Sequence, residues 1–186
     1  MLEAVYTRIS EWNRLRYPRV YDTPLTVALL SEEFYETMMA DSVVERVDGY
    51  CDQLFVALGA VWKLDVEDSL IAECVAWVTK TMDIESCDST IAYNIVMLHP
   101  SPSKETRLAN LIAIACAATV GLQRLGLSEE QAMRCIAAVC TSNESKSIQK
   151  TDPTVKANKD KGEFYTPPTI ALNKILGELA CQSTQH

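Results

Sequence analysis

Apolar residues return at intervals of three and four along most of this chain, and very little in it interrupts the period. Leu2, Val5, Ile9, Trp12 and Leu15 fit one face of a helix over about residues 2–16. Only six glycines and seven prolines punctuate 186 residues, while good helix formers are frequent. The expected fold is all-α: an antiparallel helical bundle forming one domain over 1–186, since a chain this long fills one core and not two.

Start and stop signals divide the chain. Tyr17-Pro18 ends the first helix, and Thr23, as N-cap before Pro24, opens a second that runs to about Met39. Ser42 with Glu45 forms a capping box for a third helix, to about Leu64. Further helices are expected near 67–81, 89–98 and 104–125, with a loop at His99–Pro102 between the last two. Ser128 with Gln131 caps another, ending near Cys140. Residues 141–166 turn polar and lysine-rich and read as a loop or arm; a last helix is expected from Pro167-Pro168 to about Ala180. Residues 64–78 also line up with 125–139, which suggests an internal duplication of a helix pair.

Charge and composition exclude several functions. A net charge of −8 would be repelled by a nucleic-acid polymer, though not by one nucleotide accompanied by a metal ion. No apolar run is expected to approach the roughly 20 residues of a membrane span, and the acidic start at Met1–Ala4 is unlike a signal peptide. A cytoplasmic protein without membrane contact is therefore expected. The seven cysteines, an odd number scattered through helical patterns, read as small core residues in a reducing compartment. With only His99 and His186 available, zinc, di-iron and Ser-His-Asp chemistry are set aside.

The informative stretch is a set of acids placed where core residues belong. On the second helix the stripe Leu25–Ala28–Leu29 continues into Glu32, Glu33 and Glu36. On the third, Asp48 and Asp52 stand four apart and lead into Phe55, Gly59 and Trp62. A short link makes these helices antiparallel neighbours. At about 1.5 Å per residue, Glu36 and Asp48 lie roughly 8 and 10 Å from the turn, and Glu33 and Asp52 roughly 12 and 16 Å. Carboxylates converging at similar heights repel unless a cation separates them, and Mg²⁺ (or Mn²⁺) accepts carboxylates, water and phosphate oxygens together. The alternative is a solvated acidic helix face.

The order of these motifs resembles the all-α NTP pyrophosphatases, the MazG-like and phosphoribosyl-ATP pyrophosphohydrolase-like proteins. Glu32-Glu33-x-x-Glu36, then Asp48-Gly49-x-x-Asp52, matches their acid helices. Ser142-Asn143-Glu144-Ser145-Lys146 is similar to their Ser-Asn-Met-Ser-Lys, and 161–168 to their closing Lys-Gly-x-x-Tyr-x-Pro-Pro. Glu11-Trp12-Asn13 sits where many members carry an acid-aromatic-Asn trio.

The resemblance implies an NTP/dNTP pyrophosphohydrolase, acting as a homo-oligomer and first of all a dimer. Glu33, Glu36, Asp48 and Asp52 would hold Mg²⁺, with Glu32, Glu33 and Glu36 the catalytic acids and Glu32 a further ligand or the water-orienting base. Asn143, Lys146 and Lys161 would meet the substrate, and Trp12 either a base or the core. Two departures stand out: Gly49 replaces the glutamate of MazG proper, and about sixty extra residues precede Asn143. A fused pair of copies, the second with Tyr93, Asn94 and Met97 in place of acids, would account for the extra length. The alternatives are a phosphoribosyl-ATP pyrophosphatase and a helical nucleotide-binding or regulatory protein without turnover.

Overall fold

The computed structural model describes residues 2–82, 84, 86–146 and 163–183; Lys161, with most of the lysine-bearing arm, lies outside them. Among the described residues there are helices and no strands: α1 (Leu2–Arg16), α2 (Thr23–Met38), α3 (Val43–Lys63), α4 (Asp68–Thr81), α5 (Cys87–Met97), α6 (Lys104–Arg124), α7 (Glu129–Glu144) and α8 (Thr169–Ser183). The protein is an all-α bundle.

Capping chemistry sets most of these boundaries. The Ser42/Glu45 box starts α3, and Ser103 with Thr106 and Ser128 with Gln131 start α6 and α7 in the same way. At α2 the N-cap is Asp22, not Thr23: the Asp22 carboxylate accepts from the Leu25 amide at 2.8 Å, and Thr23 is already helical. α7 also runs one turn past Cys140. Within this polar end Thr141 donates its side chain to the Ala137 carbonyl and Asn143 to that of Val139, each four residues back, so neither polar group competes for the helix amides.

α3 and α6 form the central pair. α2 lies along α3 and α5 along α6; α1 and α7 both flank α3, whereas α4 flanks α6; α8 rests on α3 and α7. Central position explains the apolar length of α6, which is long and apolar enough to cross a membrane by length and composition, contrary to the sequence reading, but lies mostly buried in the bundle. Leu54, Leu58, Leu111, Ile112 and Ile114 are fully enclosed here. Each contributes roughly 1.5–3 kcal/mol of transfer free energy. The central helices approach closely where a side chain is missing: a Cβ on Gly121 would lie 2.6 Å from Tyr50 Cζ, so the tyrosine ring packs on bare backbone.

The correspondence between 64–78 and 125–139 extends to geometry. α3 and α6 are both 21 residues long, and their serine caps, Ser42 and Ser103, stand sixty-one positions apart. At the same spacing beyond each helix comes a left-handed residue, Asp65 at φ 53° and Gly126 at φ 90°.

Two face assignments shift. Leu15 is exposed, and the inner face of α1 is Val5, Ile9 and Asn13. On α2 the buried stripe is Thr26, Leu30, Glu33 and Thr37, one position round from Leu25–Ala28–Leu29. The six cysteines with described side chains are free thiols, buried or half-buried.

Candidate functional site

The acids line the seam between α2 and α3, and α7 packs on α3 beside them. Glu33 lies on the inner stripe of α2 with 9% of its surface exposed, Glu32 is half-buried, and Glu36 sits on the exposed edge. One turn on from Glu33, Thr37 donates its hydroxyl to the Glu33 carbonyl at 2.7 Å and accepts from the Gln53 amide at 2.9 Å. That bond ties the acid end of α2 to α3 beside Asp52.

Position 49 has no room for any side chain. A Cβ there would stand 2.3 Å from Thr37 Oγ1 and 3.0 Å from its Cα. The bare backbone of Gly49 is therefore what lets α2 and α3 close, and the acid of this turn is its neighbour Asp48.

Asp48 is a strongly perturbed carboxylate. Its Oδ1 is buried and has no hydrogen-bond partner. Burial raises its pKa to about 7, the negative charges of Asp52 and Glu36 push the same way, and the Lys146 ammonium pulls it down. Glu36, Asp48, Asp52 and Lys146 thus share one electrostatic environment, although Lys146 lies almost a hundred residues beyond Asp48.

The second half of the site is built at the end of α7. Asn143 is buried, and its Oδ1 accepts from Lys146 Nζ at 2.6 Å. The Trp12 indole N–H donates to the Asn143 carbonyl at 3.0 Å. Its ring meets Phe55 edge-on at 5.0 Å, tilts against Tyr17 at 5.5 Å and carries the Arg16 guanidinium at 4.7 Å. Trp12 is thereby engaged in packing α1 on α3 and α7, the core role of its two alternatives. Glu11 is exposed, and Asn13 is buried against Gly59 while donating to the Ile9 carbonyl.

Among the described residues, no three His, Cys, Asp or Glu are grouped closely enough to bind a metal ion. The expected convergence of Glu33, Glu36, Asp48 and Asp52 is thus looser than helix heights suggest. Like charges keep apart, and the position of Glu36 on the exposed edge allows it. The donor chemistry nonetheless suits a hard cation, because every candidate ligand is a carboxylate and the buried Asp48 Oδ1 lacks a partner. Thiol chemistry does not suit the site: burial raises the Cys140 pKa to about 11, the Asp52 charge adding to it, so the thiol stays protonated at neutral pH.

Two residues beside the site were not expected. Arg8 grips the Glu144 carboxylate at 2.6 and 2.7 Å and donates to Thr141 at 2.9 Å. Arg16 donates to the carbonyls of Glu144 and Lys146, both at 3.2 Å. Their spacing, with Trp12 midway, marks one helix face, a signal that a purely apolar periodicity overlooks.

In comparisons with known proteins, no family model, no curated protein and no solved structure matches the chain.

Proposed function

We propose that this protein is a magnesium-dependent nucleoside triphosphate pyrophosphohydrolase, which converts an NTP or dNTP and water into the monophosphate and pyrophosphate. The observation that carries the reading is the meeting of Glu36, Asp48 and Asp52 with Lys146, a lysine whose ammonium is oriented by a buried asparagine. Acids for a cation and a fixed positive charge for phosphate are what a triphosphate needs from a chain of net charge −8.

In this reading Glu33, Glu36, Asp48 and Asp52 hold Mg²⁺ or Mn²⁺, which when bound supplies charge neutralisation and acidifies water. Glu32, half-buried at the flank of the cluster, orients the attacking water and takes its proton. The water oxygen bonds to the α-phosphorus as the bond to the bridging oxygen breaks, and pyrophosphate departs with that oxygen. Lys146, held by Asn143, stabilises the charge that builds on the leaving group. Asp48, whose pKa burial raises to about 7, would serve a divalent ion as a carboxylate.

The looseness of the acid cluster favours one second reading, a nucleotide-binding regulatory protein without turnover. Pyrophosphate release from a panel of ribo-, deoxyribo- and phosphoribosyl nucleotides with Mg²⁺ separates the two. Release from a common NTP or dNTP supports the enzyme, whereas tight binding without release supports the regulator. Release confined to phosphoribosyl-ATP would redirect the substrate assignment. Dimerisation and a cytoplasmic location belong to the same proposal.

A further inference from the structure

We infer that Arg16 is a positioning residue that sets Lys146 against the substrate's phosphates, an inference that rests on the pyrophosphohydrolase reading of Lys146. The last four carbonyls of a helix lack partners within it, so the end of α7 is fixed by whatever donates to them. Here the Ser145 and Lys146 amides serve the Thr141, Ser142 and Asn143 carbonyls, and α1 adds donors to the carbonyls of Asn143, Glu144 and Lys146. Arg8, Trp12 and Arg16, at i, i+4 and i+8, lie on one face of α1 and meet α7 in register. Arg8 holds the Glu144 side chain, Trp12 the Asn143 carbonyl, and Arg16 the carbonyls of both Glu144 and Lys146.

Arg16 differs from the other two in what it fixes. It binds the backbone of the very residue whose ammonium stands on Asn143 and pulls on Asp48. Its guanidinium carbon also stands over the Trp12 ring, 4.7 Å from the centroid, a cation–π contact that favours its place there. Its Nε is buried without a hydrogen-bond partner, so the group leaves one donor unmade in order to keep the two carbonyls. A lysine at this position has neither the planar fork nor the stacking face. Arg16 touches no acid of the cluster among its hydrogen bonds and ion pairs, so its influence passes through Lys146.

A double-mutant cycle tests this with magnesium tripolyphosphate, which carries the phosphate chemistry without a base, titrated calorimetrically into the full chain. Lys146→Ala should weaken binding about tenfold or more, and Arg16→Ala should weaken it about three- to tenfold. In the Lys146→Ala background, Arg16→Ala should cost nothing further, because its effect is relayed through the missing amine. Arg16→Lys, which keeps the charge, should fall between wild type and Arg16→Ala, and thermal melts identify any variant that fails to fold. If Arg16→Ala unfolds the chain, the Arg16→Lys cycle decides by the same non-additivity. Additive losses, or an Arg16 variant with wild-type affinity while Lys146→Ala is impaired, overturn the positioning role alone. Wild-type protein that binds neither tripolyphosphate nor any nucleoside triphosphate overturns the enzyme reading and the inference with it.

Discussion

Lys146 Nζ lies 2.6 Å from Asn143 Oδ1, one turn back along the chain, and this short bond holds an ammonium whose charge is felt at Asp48 on α3. Asn143 is in turn fixed by its own amide on the Val139 carbonyl and by the Trp12 indole on its backbone. Replacing Asn143 by leucine keeps the volume and the helix but releases the lysine. The expected result is a KM for the nucleotide raised roughly five- to tenfold, with metal affinity unchanged, since lysine acts as a point charge on phosphate. Steady-state kinetics with a metal titration would check it, and an unchanged KM would remove Asn143 from the site.

Glu36→Gln and Asp52→Asn should each lower turnover by at least about a hundredfold, because each deletes a charged ligand where carboxylates already repel. Folding should survive, and the metal-free variants should melt no lower than wild type. Pyrophosphate release within a few-fold of wild type in either variant would refute the metal assignment.

Asp48 gives the metal-free protein a pH dependence of definite sign. Its pKa rises from 3.8 to about 7 on folding, so between these values the native state keeps a proton that the unfolded chain has released. Stability contributed by this group is therefore full at the acid end and is lost as pH climbs through that window. From pH 5 to 8 the apo protein should lose about 2–3 kcal/mol, or about 4–12 °C in Tm. Asp48→Asn should flatten the slope. Melts in matched buffers, free of divalent ions, would show it; an equal slope in the variant would place the titrating group elsewhere.

Gly49→Ala should destabilise the fold by about 1–3 kcal/mol, since the added methyl would overlap the Thr37 hydroxyl and press on its Cα. Denaturant midpoints would measure this. Thr37→Ala in the same chain should restore only part of the loss, because the backbone contact at 3.0 Å remains.

Magnesium at a hundredfold excess over its Kd should raise stability by about 2–3 kcal/mol, as it binds only the assembled cluster. EDTA should abolish turnover and leave the far-UV spectrum helical. Absence of any shift with Mg²⁺ or Mn²⁺ would favour the regulatory reading.

The helices were legible because their signals are local. The Ser42/Glu45 box acts through its own first turn, so sequence alone places the start of α3. The stripe bearing Glu33 was legible to within one position, since period alone does not fix how far a helix is rotated against its neighbour. Leu15 shows the same limit: the face of α1 is centred on Ile9 and Asn13, where Gly59 lets α3 approach, and this rotation carries Leu15 into solvent. At α2 two good caps adjoin, and the choice of Asp22 over Thr23 depends on which backbone enters the helix. Ser142–Lys146 read as an arm because its residue types suit loops, yet most of it is helix, and polar side chains there donate to carbonyls four residues back. The approach of Lys146 to Asp48 is a tertiary event between α7 and α3, and nothing nearby in sequence encodes it. The same holds for Arg8 and Arg16, whose partners on α7 lie far along the chain.

The acids come from helices before the His99–Ser103 connection, and the Asn143–Lys146 pair from a helix after it. Attraction for a cation and attraction for an anion are thus written into opposite ends of one polypeptide. Synthesised from its N-terminus, the chain acquires the acids first and the lysine only when α7 docks on α3. In the proposed reading, the group that would recognise phosphate thus comes from the last part of the chain to be made, and it reaches the acids only once α7 packs on α3.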